Sequence, residues 1–268
     1  MEKDDTVRIA LASPAYDHEA DMEARLGMIS DISFTAALKG AKAVCFPEAF
    51  VTGYAPKRAA ELAVTRDSGA VRELSAISAR THIDILAGFM EAVPDGYCVT
   101  HGLFRPDGES FFYQKSHLGE SEKDVFMPGD SLEVFPLSCG LTAAFQLCVE
   151  LHVPEMTQEL SRRGADIIFC PHSVPGSSAK RKGLWEKLLS ARGYDSRTYI
   201  VCLNDHSATH EGCFAAADPL GDIILSSFEN EESLVFFDAD PALIRRFRSG
   251  STAMSERYYP SMARKELY

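Results

Sequence analysis

Three reactive side chains stand at the ends of apolar runs: Glu48 after "AVCFP", Lys115 after "FFYQ" and Cys148 at the end of "LTAAFQL". A carboxylate, an ammonium and a thiol form a usable chemical set. The thiolate attacks an electrophilic carbon, the carboxylate takes the thiol proton and returns it to a leaving amine, and the ammonium stabilises the developing oxyanion. This is acyl transfer out of a C–N bond without a catalytic histidine. On spacing alone, the ordinary reading of Cys148 is a small buried hydrophobe. Glu48 reads as a carboxylate at a helix N-terminus and Lys115 as a solvated strand-end lysine.

For the set to act, the chain must bring those three ends together. Strands are expected at 7–12, 42–48, 83–91, 141–148, 166–173 and 198–205, from short runs such as "VRIALA", "KAVCFPE" and "TYIVCLND". Helices are expected at 17–39, 70–81, 153–164 and 183–197, with hairpins around 106–108 and 219–222. Strands alternating with helices specify an α/β layered architecture, in which functional side chains gather beyond the carboxyl ends of the strands. No repeat of fixed period and no long linker divides the chain, so residues 1–268 are expected to form one domain, with 249–268 as a polar tail.

Composition narrows the partner. Lys and Arg total 27 against 39 Asp and Glu, and the formal net charge of -12 argues against nucleic acid or an anionic membrane. No segment approaches the roughly 20 apolar residues a membrane span requires, so a cytoplasmic protein acting on a small molecule is expected. The seven cysteines include no CxxC pair, and Cys45, Cys170 and Cys202 lie in apolar runs, a pattern of reduced, buried thiols. The paired spacings of structural zinc are missing, so neither a metal nor a cofactor is expected.

The segments "FPEAFVTGY" (46–54), "YQKSHLGESEKDVFMPGD" (113–130) and "LCVELHVPE" (147–155) resemble the glutamate, lysine and cysteine motifs of the nitrilase superfamily of carbon-nitrogen hydrolases. The similarity continues through "GADIIFCPHS", "SARGYDSRTYIVCLN" and "DPLGDII". The resemblance implies an α/β fold of the four-layer α-β-β-α sandwich type, a homodimer or higher homo-oligomer, and the tail 249–268 at the dimer interface.

It also implies Glu48 as general base, Lys115 as oxyanion-stabilising cation, Cys148 as nucleophile and the Val149 backbone N–H as second oxyanion donor. A second glutamate follows the lysine in many members; Glu122 is the better match and Glu120 the other register. Glu150 and His152 stand where many relatives carry aspartate and arginine, and both are expected near substrate, as is His172 at the pocket mouth. The expected activity is thiol-dependent hydrolysis of a small linear amide or carbamoyl compound, releasing ammonia. Nitrile hydrolysis, acyl transfer and a non-catalytic binding relative are the alternatives. Such a site should also bias Cys148 toward thiolate.

Overall fold

The computed structural model describes residues 6–16, 21–229 and 233–248, so the tail 249–268 lies outside the described residues. The apolar runs become strands: β1 (Val7–Ala12), β2 (Ala43–Cys45), β3 (Asp84–Val93), β4 (Gly96–Phe104) and β5 (Ser110–Gln114) in one sheet. A second sheet holds β6 (Phe135–Pro136), β7 (Thr142–Phe145), β8 (Ile167–His172), β9 (Tyr199–Asn204), β10 (Cys213–Ala217) and β11 (Ile223–Ser227). The last strand, β12 (Leu234–Ala239), returns to the first sheet beside β1. The helices are α1 (Met22–Leu38), α2 (Ala59–Leu62), α3 (Gly69–Thr81), α4 (Pro154–Arg162), α5 (Ser178–Ser196) and α6 (Pro241–Arg248).

Alternation along the strands builds the layers. In β1, Ile9 and Leu11 join a core shared with Leu86, Phe145 and Phe169 of both sheets, whereas Ala10 joins Ile29 of α1 and Leu74 and Ile77 of α3. On the opposite side α5 packs against β9, β10 and β11. The result is the α-β-β-α sandwich that the motif resemblance implies.

The two sheets share one topology. β1, β2 and β3 are parallel neighbours, as are β7, β8 and β9. Each trio continues into two antiparallel strands and carries one antiparallel strand on its other side. This structural duplication leaves no fixed period in the sequence. The carboxyl ends of the trios meet: Ser13 Oγ, after β1, donates to the Asn204 carbonyl of β9 at 2.5 Å, and Tyr16 OH donates to Asp205 at 2.5 Å.

Several boundaries differ from the expectation. The helix expected from 183 begins at Ser178, because its polar first turn is satisfied within the protein: Ser178 N and Oγ donate to Glu211 at 2.7 and 2.9 Å, and Arg181 donates to the carbonyls of Val174 and Pro175. The strand expected to reach Cys148 stops at Phe145, and residues Cys148–His152 form a 3-10 turn. β12 and α6 were not expected at all, since their pairing with β1 and packing on the core depend on distant residues. Among the described residues no helix is long and apolar enough to cross a membrane.

Phe145 is fully buried where the sheets meet, its ring 4.7 Å from that of His101, 5.8 Å from Phe135 and 6.4 Å from Phe169. Phe145→Ala is expected to cost about 3–5 kcal/mol, read from the denaturant midpoint. A loss below about 1 kcal/mol would show that the inter-sheet core is not packed around this ring.

Candidate active site

Glu48 leaves β2 on a turn pinned to the next strand, where Phe46 N donates to Leu86 O at 2.8 Å and Val51 N to Gly88 O at 3.0 Å. Ala49 takes the left-handed conformation, φ 50°, and its N lies so close to Gly88 that a Cβ there would sit 2.6 Å away. Lys115 leaves β5 with its N–H donated to Val99 O at 2.8 Å and its carbonyl accepting from Gly129 N at 2.8 Å. Cys148 opens the 3-10 turn at φ 53°. Just before it, buried Gln146 holds the turn through Nε2, which donates to Glu150 O at 3.0 Å.

These turns bring the expected groups together. Lys115 Nζ donates to Glu48 Oε1 and to Glu122 Oε1, both at 2.8 Å, with lysine and Glu48 side chains each 1% exposed. Glu122 also accepts from Tyr54 OH at 2.7 Å and from Gly119 N at 2.5 Å. Glu120, the other register, is exposed and pairs with Lys123 at 2.6 Å. Glu48 Oε2 is buried without a hydrogen-bond partner among the described residues.

The electrostatics follow from that packing. Burial raises the Glu48 pKa against the pull of Lys115, with the charge of Glu122 adding to the rise. Burial alone would lower the lysine, but Glu48, Cys148 and Glu122 reverse this and hold it firmly protonated. Glu122 is desolvated too, yet Lys115, Tyr54 and Gly119 outweigh that and lower its pKa. At Cys148, burial and then the charge of Glu48 push the thiol up, while Lys115 and the Val149 N–H pull the other way. The expected bias toward thiolate is therefore reversed: the resting group is a thiol.

The remaining expected residues separate. Glu150 is fully buried and bonded within the protein: its Oε1 accepts from Tyr113 OH at 2.7 Å, Ser116 N at 2.8 Å, Ser116 Oγ at 2.9 Å and His117 N at 2.9 Å, and its Oε2 from Leu147 N at 2.7 Å. His152 is exposed at the end of the 3-10 turn. His172 ends β8 and is 4% exposed against Trp185, ring centroids 4.5 Å apart. Tyr54 and Gly119 are site residues that the sequence reading did not single out, although both lie inside the quoted motifs.

The raised thiol has a direct readout. Alkylation of Cys148 by iodoacetamide, followed by peptide mass mapping against pH, is expected to have its midpoint above that of an ordinary cysteine. Glu48→Gln removes the charge that raises it, so the midpoint should fall. An upward or absent shift in that variant would disprove the coupling.

Residues 7–249 match the carbon-nitrogen hydrolase family. The chain is 26% identical over 221 residues to the omega-amidase NIT2 of Pongo abelii, covering 76% of this chain and 78% of that protein. Nit3 of Saccharomyces cerevisiae, a nitrilase-superfamily structure, superposes with a TM-score of 0.81 at 22% identity over 95% of this chain and 97% of that one. A mutant amidase from Nesterenkonia sp. AN1, carrying the acetamide moiety of fluoroacetamide at its active-site cysteine, does so with a TM-score of 0.81 at 23% identity, over 99% and 97% of the two chains. With the family covering nearly the whole chain, this protein belongs to the carbon-nitrogen hydrolase family, and amidases are among its relatives.

Proposed function

We propose that the enzyme hydrolyses a small linear amide or carbamoyl compound through an acyl group carried on Cys148, with release of ammonia. The observation that carries this reading is the state of Lys115. An ammonium has three donors; two are spent on Glu48 and Glu122, leaving one for a substrate oxygen.

Glu48 Oε2, buried and without a partner among the described residues, takes the thiol proton as Sγ attacks the carbonyl carbon. The carbonyl electron pair moves to oxygen, which is held by the third Lys115 donor and the Val149 N–H. Collapse breaks the C–N bond, and the departing nitrogen takes the proton from Glu48. Water then attacks the thioester, giving one proton to Glu48, which returns it to Sγ as the acid leaves. Glu122 with Tyr54 keeps the ammonium in place. A thiol that ionises only as it attacks needs its base within reach, and the charge of Glu48 acts directly on Cys148. The acetamide adduct on the active-site cysteine of the Nesterenkonia amidase supports the thiol as nucleophile, and the omega-amidase relative supports an amide as substrate.

Ammonia release and intact mass, measured on a panel of small amides, carbamoyl compounds and nitriles, test the reading. Cys148→Ala is expected to lose both turnover and the acyl mass increase, and Lys115→Met to lower kcat by about 10²–10³. Wild-type rates in Cys148→Ala would eliminate the mechanism. Because Glu48 must be ionised to act and its pKa is raised, the acid limb of kcat/KM should lie above the usual carboxylate range. Glu122→Gln removes a charge that raises Glu48, so the limb should move to lower pH; an unmoved limb would assign it to another group.

A homodimer is part of the same proposal. Leu184 and Tyr194 expose apolar side chains on α5, the outer layer of the second sheet, 48% and 42% accessible. That face supports self-association. Leu184→Glu with Tyr194→Glu should yield monomers in light scattering, and an unchanged dimer would place the contact elsewhere.

A further inference from the structure

His172 is the group the mechanism leaves unused, and its surroundings single it out. It ends β8, the strand next to the one that leads to Cys148, and the two run parallel with Phe145 opposite Phe169. Cys148 lies three residues beyond Phe145, and His172 three beyond Phe169, so both emerge at the same edge of the sheet. The charge of Lys115 reaches His172.

The ring is fixed in one state. His172 Nδ1 lies 2.7 Å from the carbonyl of Cys170, and since a carbonyl only accepts, Nδ1 carries the proton. Nε2 is then a lone-pair acceptor. Trp185 packs against the ring with centroids 4.5 Å apart at 44°, so the ring cannot turn freely. Nε2 has no hydrogen-bond partner among the described residues, yet it is not among the polar atoms sealed from solvent. A side chain that is otherwise 96% buried thus keeps one acceptor open. Burial lowers its pKa to about 3, so it is neutral when the enzyme works near neutral pH.

We propose that His172 is a specificity-determining residue that accepts a hydrogen bond from the substrate, selecting amides whose chain carries an O–H or N–H donor over amides with an alkyl or carboxylate group there. The inference rests on the assignment of Cys148 as nucleophile only for where the substrate lies. A carboxylate brings lone pairs against the Nε2 lone pair with no proton between them, and an alkyl group leaves Nε2 desolvated and unpaired. Both are disfavoured, because a buried polar group stripped of water without a partner costs more than one hydrogen bond contributes. Trp185 makes the acceptor rigid, so little ordering cost falls on binding.

The test compares butyramides bearing hydroxyl at C2, C3 or C4 with the methyl isostere at each position and with succinamate and glutaramate. Wild-type kcat/KM for the best hydroxyl position is expected to exceed its methyl isostere by about tenfold, the weight of one neutral hydrogen bond, and to exceed both carboxylates. His172→Phe should bring the hydroxyl-to-methyl ratio to about 1, a comparison made within one variant and so independent of its absolute rate. His172→Gln, which retains an acceptor, should keep part of the preference. The same pairs are measured by calorimetric binding to Cys148→Ala and to Cys148→Ala with His172→Phe, a comparison that reads the subsite whether or not turnover passes through the thiol. A hydroxyl preference that survives His172→Phe, equal binding of hydroxyl and methyl partners to Cys148→Ala, or a wild-type preference for the carboxylates would each overturn the proposal.

Discussion

One cation held between two carboxylates organises the interior. Lys115 comes from the end of β5, Glu48 from the turn after β2 and Glu122 from the loop beyond Lys115, and each ion pair is 2.8 Å long inside a region almost closed to water. Burying ions costs several kcal/mol each unless geometry and hydrogen bonds compensate. The compensation here is specific: Tyr54 and Gly119 complete Glu122, and the lysine bonds Glu48 on one side only. The fold must therefore hold three segments in fixed relation, and the sandwich supplies the rigidity.

Glu150 extends that constraint to Cys148. Its carboxylate accepts from Ser116 and His117, which directly follow Lys115, and from Leu147, which directly precedes Cys148. A single buried side chain thus ties the cation of one sheet to the thiol of the other. Removing the charge would leave five donors pointing at a weaker acceptor, so Glu150 acts as a brace. Its proximity to Cys148 in the chain suggests substrate contact; only the hydrogen bonds show the brace.

That contrast marks what could be read before the structure. Glu48, Lys115 and Cys148 were legible because each ends an apolar run inside a motif, and the α/β alternation was legible because period-two and helical spacing are local. The choice between Glu122 and Glu120 was not, because both lie in one charged run and only burial against Lys115 separates them. The same holds for α5, whose first turn "SAKRK" looks like solvated loop until Arg181 and Ser178 find partners 6 to 33 residues away. The duplication of the two sheets is also silent in sequence. Equivalent strands share direction and order but carry different residues, so one half delivers Glu48 beyond its middle strand and the other delivers His172.

Backbone strain marks where that division of labour is set. Ala49 and Cys148 both adopt the left-handed conformation at φ 50° and 53°, where glycine is the usual occupant. Each such residue costs on the order of 1 kcal/mol, and strain of this kind persists only when the surroundings over-determine it. At Cys148 glycine is impossible, since the position must carry Sγ, and the bonds from Gln146 and to Glu150 impose the turn. At Ala49 the turn directs the preceding carboxylate back toward Lys115. The missing Cβ of Gly88 admits the Ala49 backbone, which lies 2.6 Å from where that atom would be. The two strained residues therefore aim the Glu48 carboxylate and the Cys148 thiol, and the rigid braces around them absorb the cost.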